Sequence, residues 1–151
     1  MAIGHAALCQ KPDTTGNRFV MHIKKNRHKI KTVYANVGGK ISGTIDKDSL
    51  LRLGKVNMVD LQKKLKNIRV VSFDLVAERR NNAGNWYPIK KAHIFSLYSG
   101  NEFTDEMKGI IKSCYKGDRI ELFVTGIYYD GMRYGSIQGI GYGAHVCLCM
   151  Q

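Results

Sequence analysis

From Arg69 to Arg80 the chain reads RVVSFDLVAERR, and every second residue, Val71, Phe73, Leu75 and Ala77, is apolar. That period of two predicts a strand with one face in a core. The same alternation recurs before it. Phe19, Met21 and Ile23 alternate with Val20, His22 and Lys24, Asn26-Arg27 suits a turn, and Ile30, Thr32 and Tyr34 alternate with Lys29, Lys31 and Val33 in a half-exposed second strand. Gly38-Gly39 ends that strand in a glycine-rich corner, GGKISG. Asp46 is placed to cap a helical turn at 47–53, with Gly54 as its stop. Val56–Lys66 fits neither period. RNNAGN, residues 80–85, has turn chemistry, with Gly84 able to take a positive φ. WYPIKKAHIFSLYSG follows as a strand with Pro88 near its start or on an edge.

One segment has a different period. In FTDEMKGIIKSCYKGD, Met107, Ile110, Ile111 and Cys114 recur at helical spacing. Thr104 can cap the N-terminus, Asp105 and Glu106 place negative charge in the first turn, and Gly117 can end the segment in the left-handed conformation. This predicts a short helix at 104–114 that packs on a core. RIELFVTGIYYDGMRYGSIQG then predicts a hairpin, with Asp130-Gly131 as a two-residue type I′ loop between Tyr129 and Met132. A last apolar strand covers Ala144–Met150. Seven or eight strands separated by turn signals predict an all-β, mainly antiparallel, Ig-like β-sandwich.

Composition narrows the function classes. The chain has 151 residues, enough to bury one core, and carries 24 Lys+Arg against 12 Asp+Glu, a net charge of +12. That surplus favours an acidic partner. It is locally dense at Lys24, Lys25, Arg27, Lys29 and Lys31, the surface expected to meet the partner, and again at Lys63, Lys64, Lys66 and Arg69. The plain alternative for both clusters is solvated surface. No apolar run approaches the ~20 residues of a membrane span. Residues 1–15, MAIGHAALCQKPDTT, read as the end of a signal peptide with a cut before Gln10, leaving 16–151 as a single domain. That implies a periplasmic or secreted protein; a frayed cytoplasmic N-terminus is the alternative.

Chemistry-bearing motifs are scarce. No phosphate loop, dinucleotide fingerprint, G-x-S-x-G or H-E-x-x-H occurs. His5, His22, His28, His93 and His145 are scattered, and His93 reads as a partly buried strand residue. Neither an enzyme nor a cofactor is expected. His145, Cys147 and Cys149 share one strand face and are weak metal-ligand candidates, with no evident fourth ligand; a buried strand or a disulfide through Cys114 competes with that reading. Basic strands with Tyr34, Trp86, Tyr87, Tyr98, Tyr128, Tyr129 and Tyr134 interleaved could stack bases, which keeps a nucleic-acid-binding β-domain as the alternative function.

The order RFVMHIKK, VGGKISGTI with DSLLRLG, RVVSFDLVAER, then NEFTDEMKGIIKSCYKGDRIEL and DGMRYGSI resembles the C-terminal domain of the GldM/PorM family of gliding-motility and type IX secretion proteins, from Phe19 to Gly139. Gly38, Gly39, Lys40, Ser42 and Gly43, the strand Val71-Ser72-Phe73, and Phe103, Thr104, Met107 and Gly117-Asp118 carry the resemblance. It implies a periplasmic, non-enzymatic, β-rich protein–protein interaction module of Bacteroidetes-like bacteria. The implied assembly is a homodimer whose partner is an envelope ring component of the secretion and motility machinery. Lys25-Asn26-Arg27-His28 replaces the family's proline-containing stretch, and Cys147 and Cys149 lie outside the match.

Overall fold

A computed structural model describes residues 19–22, 30–60, 63, 65–96, 100–130 and 138–151, with 19–22, 30–32 and 138–144 described through their backbone. The strands are β1 (Phe19–His22), β2 (Ile30–Asn36), β3 (Ser42–Ile45), β4 (Asn57–Asp60), β5 (Arg69–Arg80), β6 (Trp86–Phe95), β7 (Arg119–Tyr128) and β8 (Gln138–Met150). Two helices interrupt them, α1 (Lys47–Leu53) and α2 (Asp105–Ser113). A three-stranded sheet runs β1-β2-β4 and a five-stranded sheet runs β3-β8-β7-β5-β6. Neighbours are antiparallel except β3 and β8, which are parallel. The expected mainly antiparallel β-sandwich with two short helices is the observed architecture.

The alternation in β5 places Phe73, Leu75 and Ala77 in the core, and β7 adds Ile120, Leu122 and Val124 from its own alternate positions. Val146 and Leu148 of β8 complete this face, which meets Val33, Ala35 and Val37 of the β2 segment and the apolar stripe of α2. Met107, Ile111 and Cys114 are fully buried and Ile110 nearly so. At roughly 1.5–3 kcal/mol for each fully buried large apolar side chain, this stripe is what holds α2 in place.

Both helices start as their caps require. Asp46 Oδ1 accepts from Ser49 N at 2.8 Å, and Thr104 Oγ1 accepts from Met107 N at 3.2 Å. Gly54 stops α1 at φ 59°, its N–H donating to Leu50 O. The end of α2 differs from expectation. It stops at Ser113, with Cys114 already extended (φ −70°, ψ 146°). Gly117, at φ 92°, serves the following turn instead. Its N–H donates to Met150 O at 2.9 Å, while Asp118 Oδ2 accepts from Tyr115 N at 2.7 Å. The turn is thus held to the last residue of β8, and the helix gives way to it.

The hairpin between β7 and β8 also departs from expectation. A two-residue turn at Asp130-Gly131 would pair Ile127 with Tyr134, but the ladder pairs Ile127 with Gln138. Asp130 turns away to a different neighbour: its N–H donates to Lys66 O at 2.9 Å and its Oδ2 accepts from Asn67 Nδ2 at 2.7 Å. These contacts recruit the tip of β7 to the 66–67 segment and override the local turn preference. Gly131 and Met132 lie outside the described residues.

Leu75→Ala is expected to cost about 2–5 kcal/mol in urea unfolding, since it opens a cavity beneath the centre of β5. Val59→Ala, at a position 47% exposed, is expected to stay within about 0.5 kcal/mol of the parent.

Candidate interaction surfaces

Opposite the core, the five-stranded sheet carries its chemistry in cross-strand rows. His93, Asp74, Phe123 and His145 are register partners in one row. Lys91, Val76, Glu121, Cys147 and Ser42 form the next. Pro88, Glu78, Arg119, Cys149 and Thr44 form a third. The alternation that sends Ile120, Leu122 and Val124 inward necessarily brings Arg119, Glu121 and Phe123 to this side.

Arg119 is the hub of this face. Its Nε donates to Glu78 Oε2, its Nη2 lies 2.9 Å from Glu121 Oε1, and its guanidinium sits 4.3 Å from the Trp86 ring centroid. Glu121 Oε2 is 3.0 Å from His145 Nε2, whose ring stacks on Phe123 at 4.7 Å. Burial alone would raise the Glu121 carboxyl, but the hydrogen bond to His145 and the charges of His145 and Arg119 hold it below the usual range. Asp74 Oδ1 makes the same kind of pair with His93 Nδ1 at 2.5 Å, on a more exposed part of the face. His93 is therefore exposed rather than partly buried as expected. What the arrangement accomplishes is cross-strand pinning, with each acid answered by a base on the neighbouring strand.

The metal-ligand candidates stand in these rows. His145, Cys147 and Cys149 share a face as expected, but His145 Nε2 faces Glu121 and Cys149 is disulfide-bonded, its partner lying outside the described residues. Burial, then the charge of Glu121, pushes the Cys147 thiol up to about 11. Among the described residues no group of three or more His, Cys, Asp and Glu is arranged to hold a metal ion. Cys114 is a free buried thiol, which removes the competing reading of a disulfide through it; burial, then Asp118, raises its pKa.

A second set lies on the α2 side. Arg79 holds Asp118 through two 2.8 Å hydrogen bonds, Nε to Oδ1 and Nη2 to Oδ2. Burial would raise the Asp118 carboxyl, but Arg79 and the Tyr115 N–H hold it below its ordinary value. The Arg79 guanidinium lies 4.8 Å from the Tyr115 ring centroid, and Tyr87 is its register partner on β6. Tyr115 is 68% and Tyr87 41% exposed. Of the aromatics expected to stack bases, Tyr129 is buried, Trp86 is covered by Arg119, and Tyr128 has Arg69 at 4.4 Å over its ring. Tyr115, the most exposed aromatic among the described residues, was not among them; its place just beyond the helical stripe and before Gly117 was the available signal.

Of the basic cluster, Lys24, Lys25, Arg27 and Lys29 lie outside the described residues, while Lys31 sits in β2 opposite Met21. Lys64 and Tyr98 and Tyr134 are likewise outside them. Among the described residues no helix is long and apolar enough to cross a membrane. No protein-family model matches the chain, and no curated protein matches it.

The Asp118 carboxyl is depressed in the folded state, so its contribution is present above the ordinary aspartate pKa of about 3.9 and is lost as pH falls through the folded value. Urea midpoints are expected to drop on acidification below about pH 5, and Asp118→Asn to lower the midpoint at neutral pH while flattening that drop. Thiol titration at about pH 8 is expected to be slow at Cys114 and Cys147 on the native protein, because both are buried and raised, and fast at both after unfolding.

Proposed function

We propose that this protein is a non-enzymatic interaction module that acts by binding an acidic protein face, in the periplasm or outside the cell. The observation that carries the reading is how the charges are sorted. Asp60, Asp118 and Glu121 are buried and Glu78 is drawn into the Arg119 pairs, whereas Lys55, Lys90, Lys91, Lys112 and Lys116 remain exposed. Arg79 and Arg119 are committed to those acids, so the charge offered to a partner is carried by exposed lysines, in keeping with the sequence total of +12. The resemblance to the GldM/PorM C-terminal domain supports the same reading, with an envelope ring component as the partner. It rests on segment order and is a weaker warrant than the charge sorting.

A second reading, a single-stranded nucleic acid, is favoured by one observation: Tyr115 and Tyr87 flank Arg79 with their rings exposed.

Poly-L-glutamate is expected to bind at about 0.15 M salt, where surface pairs are screened beyond roughly 8 Å. Reversing Lys24, Lys25, Arg27, Lys29 and Lys31 together is expected to abolish recovery of the partner from native envelope. Unchanged recovery would reject that surface. Tighter binding of an oligo-dT strand than of poly-L-glutamate, with a steep salt slope and loss on Tyr115→Ala, would replace the first reading by the second.

A further inference from the structure

The five-stranded sheet ends at β6, and among the described residues nothing pairs with the outer side of that strand. A ten-residue edge is a template for a further strand unless it is guarded. Its first part is guarded, by Pro88 and by the bulge opposite it at Ala77/Glu78. From Lys90 to Phe95 there is neither proline nor register shift, and the guard is charge alone. Lys90 is the partner of Ala77 and projects on the α2 side, and Lys91 is the partner of Val76 and projects on the other. Both are exposed, and neither has an ion-pair partner among the described residues. The two lysines therefore bracket the open edge from both faces.

Beside this edge runs a groove of about 490 Å³ between β6 and α2, lined by Lys90, Lys91, Glu106, Gly109 and Ile110. A side chain at Gly109 would meet nothing within 4 Å, so the helix leaves a notch over Ile110, which is only 6% exposed. Three of its five lining residues are charged, and Glu106 on the far wall disfavours an acid beside α2.

We propose that the Lys90–Phe95 edge of β6 is the docking site for an extended acidic polypeptide segment, which adds as a sixth strand with its carboxylates on Lys90 and Lys91. This rests on the acidic-partner reading and adds to the Lys24–Lys31 cluster a second surface through which it operates. A polypeptide is favoured over a nucleic acid because an open strand edge offers alternating N–H and C=O groups that only another backbone can match. A second copy is disfavoured because self-pairing here would bring lysine against lysine.

The test uses the full chain and a synthetic peptide alternating Val and Thr around a central Glu-Glu pair, whose two carboxylates point to opposite faces of a strand. Binding is expected to slow amide exchange across Lys90–Phe95. The double substitution Lys90→Glu and Lys91→Glu is expected to weaken affinity about tenfold or more, as is methylation of alternate backbone nitrogens in the peptide at unchanged charge. The methylated peptide needs no variant, so a folding defect cannot mimic its result. Equal affinity for the methylated peptide, or protection elsewhere in the chain, overturns the site. So does concentration-dependent self-association that protects the same amides, and so does an oligo-dT strand that binds there while the peptide does not. If poly-L-glutamate binds and the alternating peptide does not, the edge is excluded while the acidic-partner reading stands; if neither binds, both fall.

Discussion

Register between β5, β7 and β8 is the constraint on which the rest of this protein depends. Three hydrogen-bonded strands, each with a side-chain period of two, must agree on which parity faces inward. They do: Phe73 and Leu75, Leu122 and Val124, and Val146 and Leu148 all reach one face. A slip of one residue in β7 would bury Arg119 and Glu121 and turn Ile120, Leu122 and Val124 outward. Once that face exists, α2 has a surface for its stripe and the β2 segment has a partner for Val33, Ala35 and Val37.

The same register creates the opposite face. Glu78, Arg119, Glu121 and His145 come from three strands, and they meet because the parity that buries their neighbours leaves them no other side. The Arg79–Asp118 pair works differently. It lies on the core side, where the side chain of Asp118 is 4% exposed, and a buried carboxylate there is tolerable because Arg79 and the Tyr115 N–H both answer it. Together these pairings commit Arg79 and Arg119 to acids and leave lysines as the exposed cations, two of which, Lys90 and Lys91, stand on the edge strand.

Much of the fold was legible because it is encoded locally. Asp46 and Thr104 cap their helices, Gly54 takes the left-handed conformation, Gly84 turns the β5–β6 connection, and the alternation of β5 holds over its core positions. The misreadings have one cause. Asp130-Gly131 is a favourable hairpin turn in isolation, yet Asp130 bonds to Lys66 and Asn67, distant in sequence. Gly117 is a plausible helix stop, yet the chain there is tied to Met150. A local preference worth a fraction of a kcal/mol to about 1 kcal/mol yields to a long-range hydrogen bond plus the packing that comes with it. Of the functional surfaces, the basic character was readable from composition, while the exposure of Tyr115 and the openness of β6 were not, because both follow from strand order.

By itself the sequence determined most element types, the two helix starts, the inward parity of the β5 core positions and the basic balance, since each of these depends on residues within a turn or two of one another. Tertiary structure decided which strands became neighbours, and so which acid met which base, which aromatics stayed uncovered, and which strand was left at the edge. Those outcomes depend on pairings between segments dozens of residues apart, whose energies come from shared hydrogen bonds and buried area that no single segment contains.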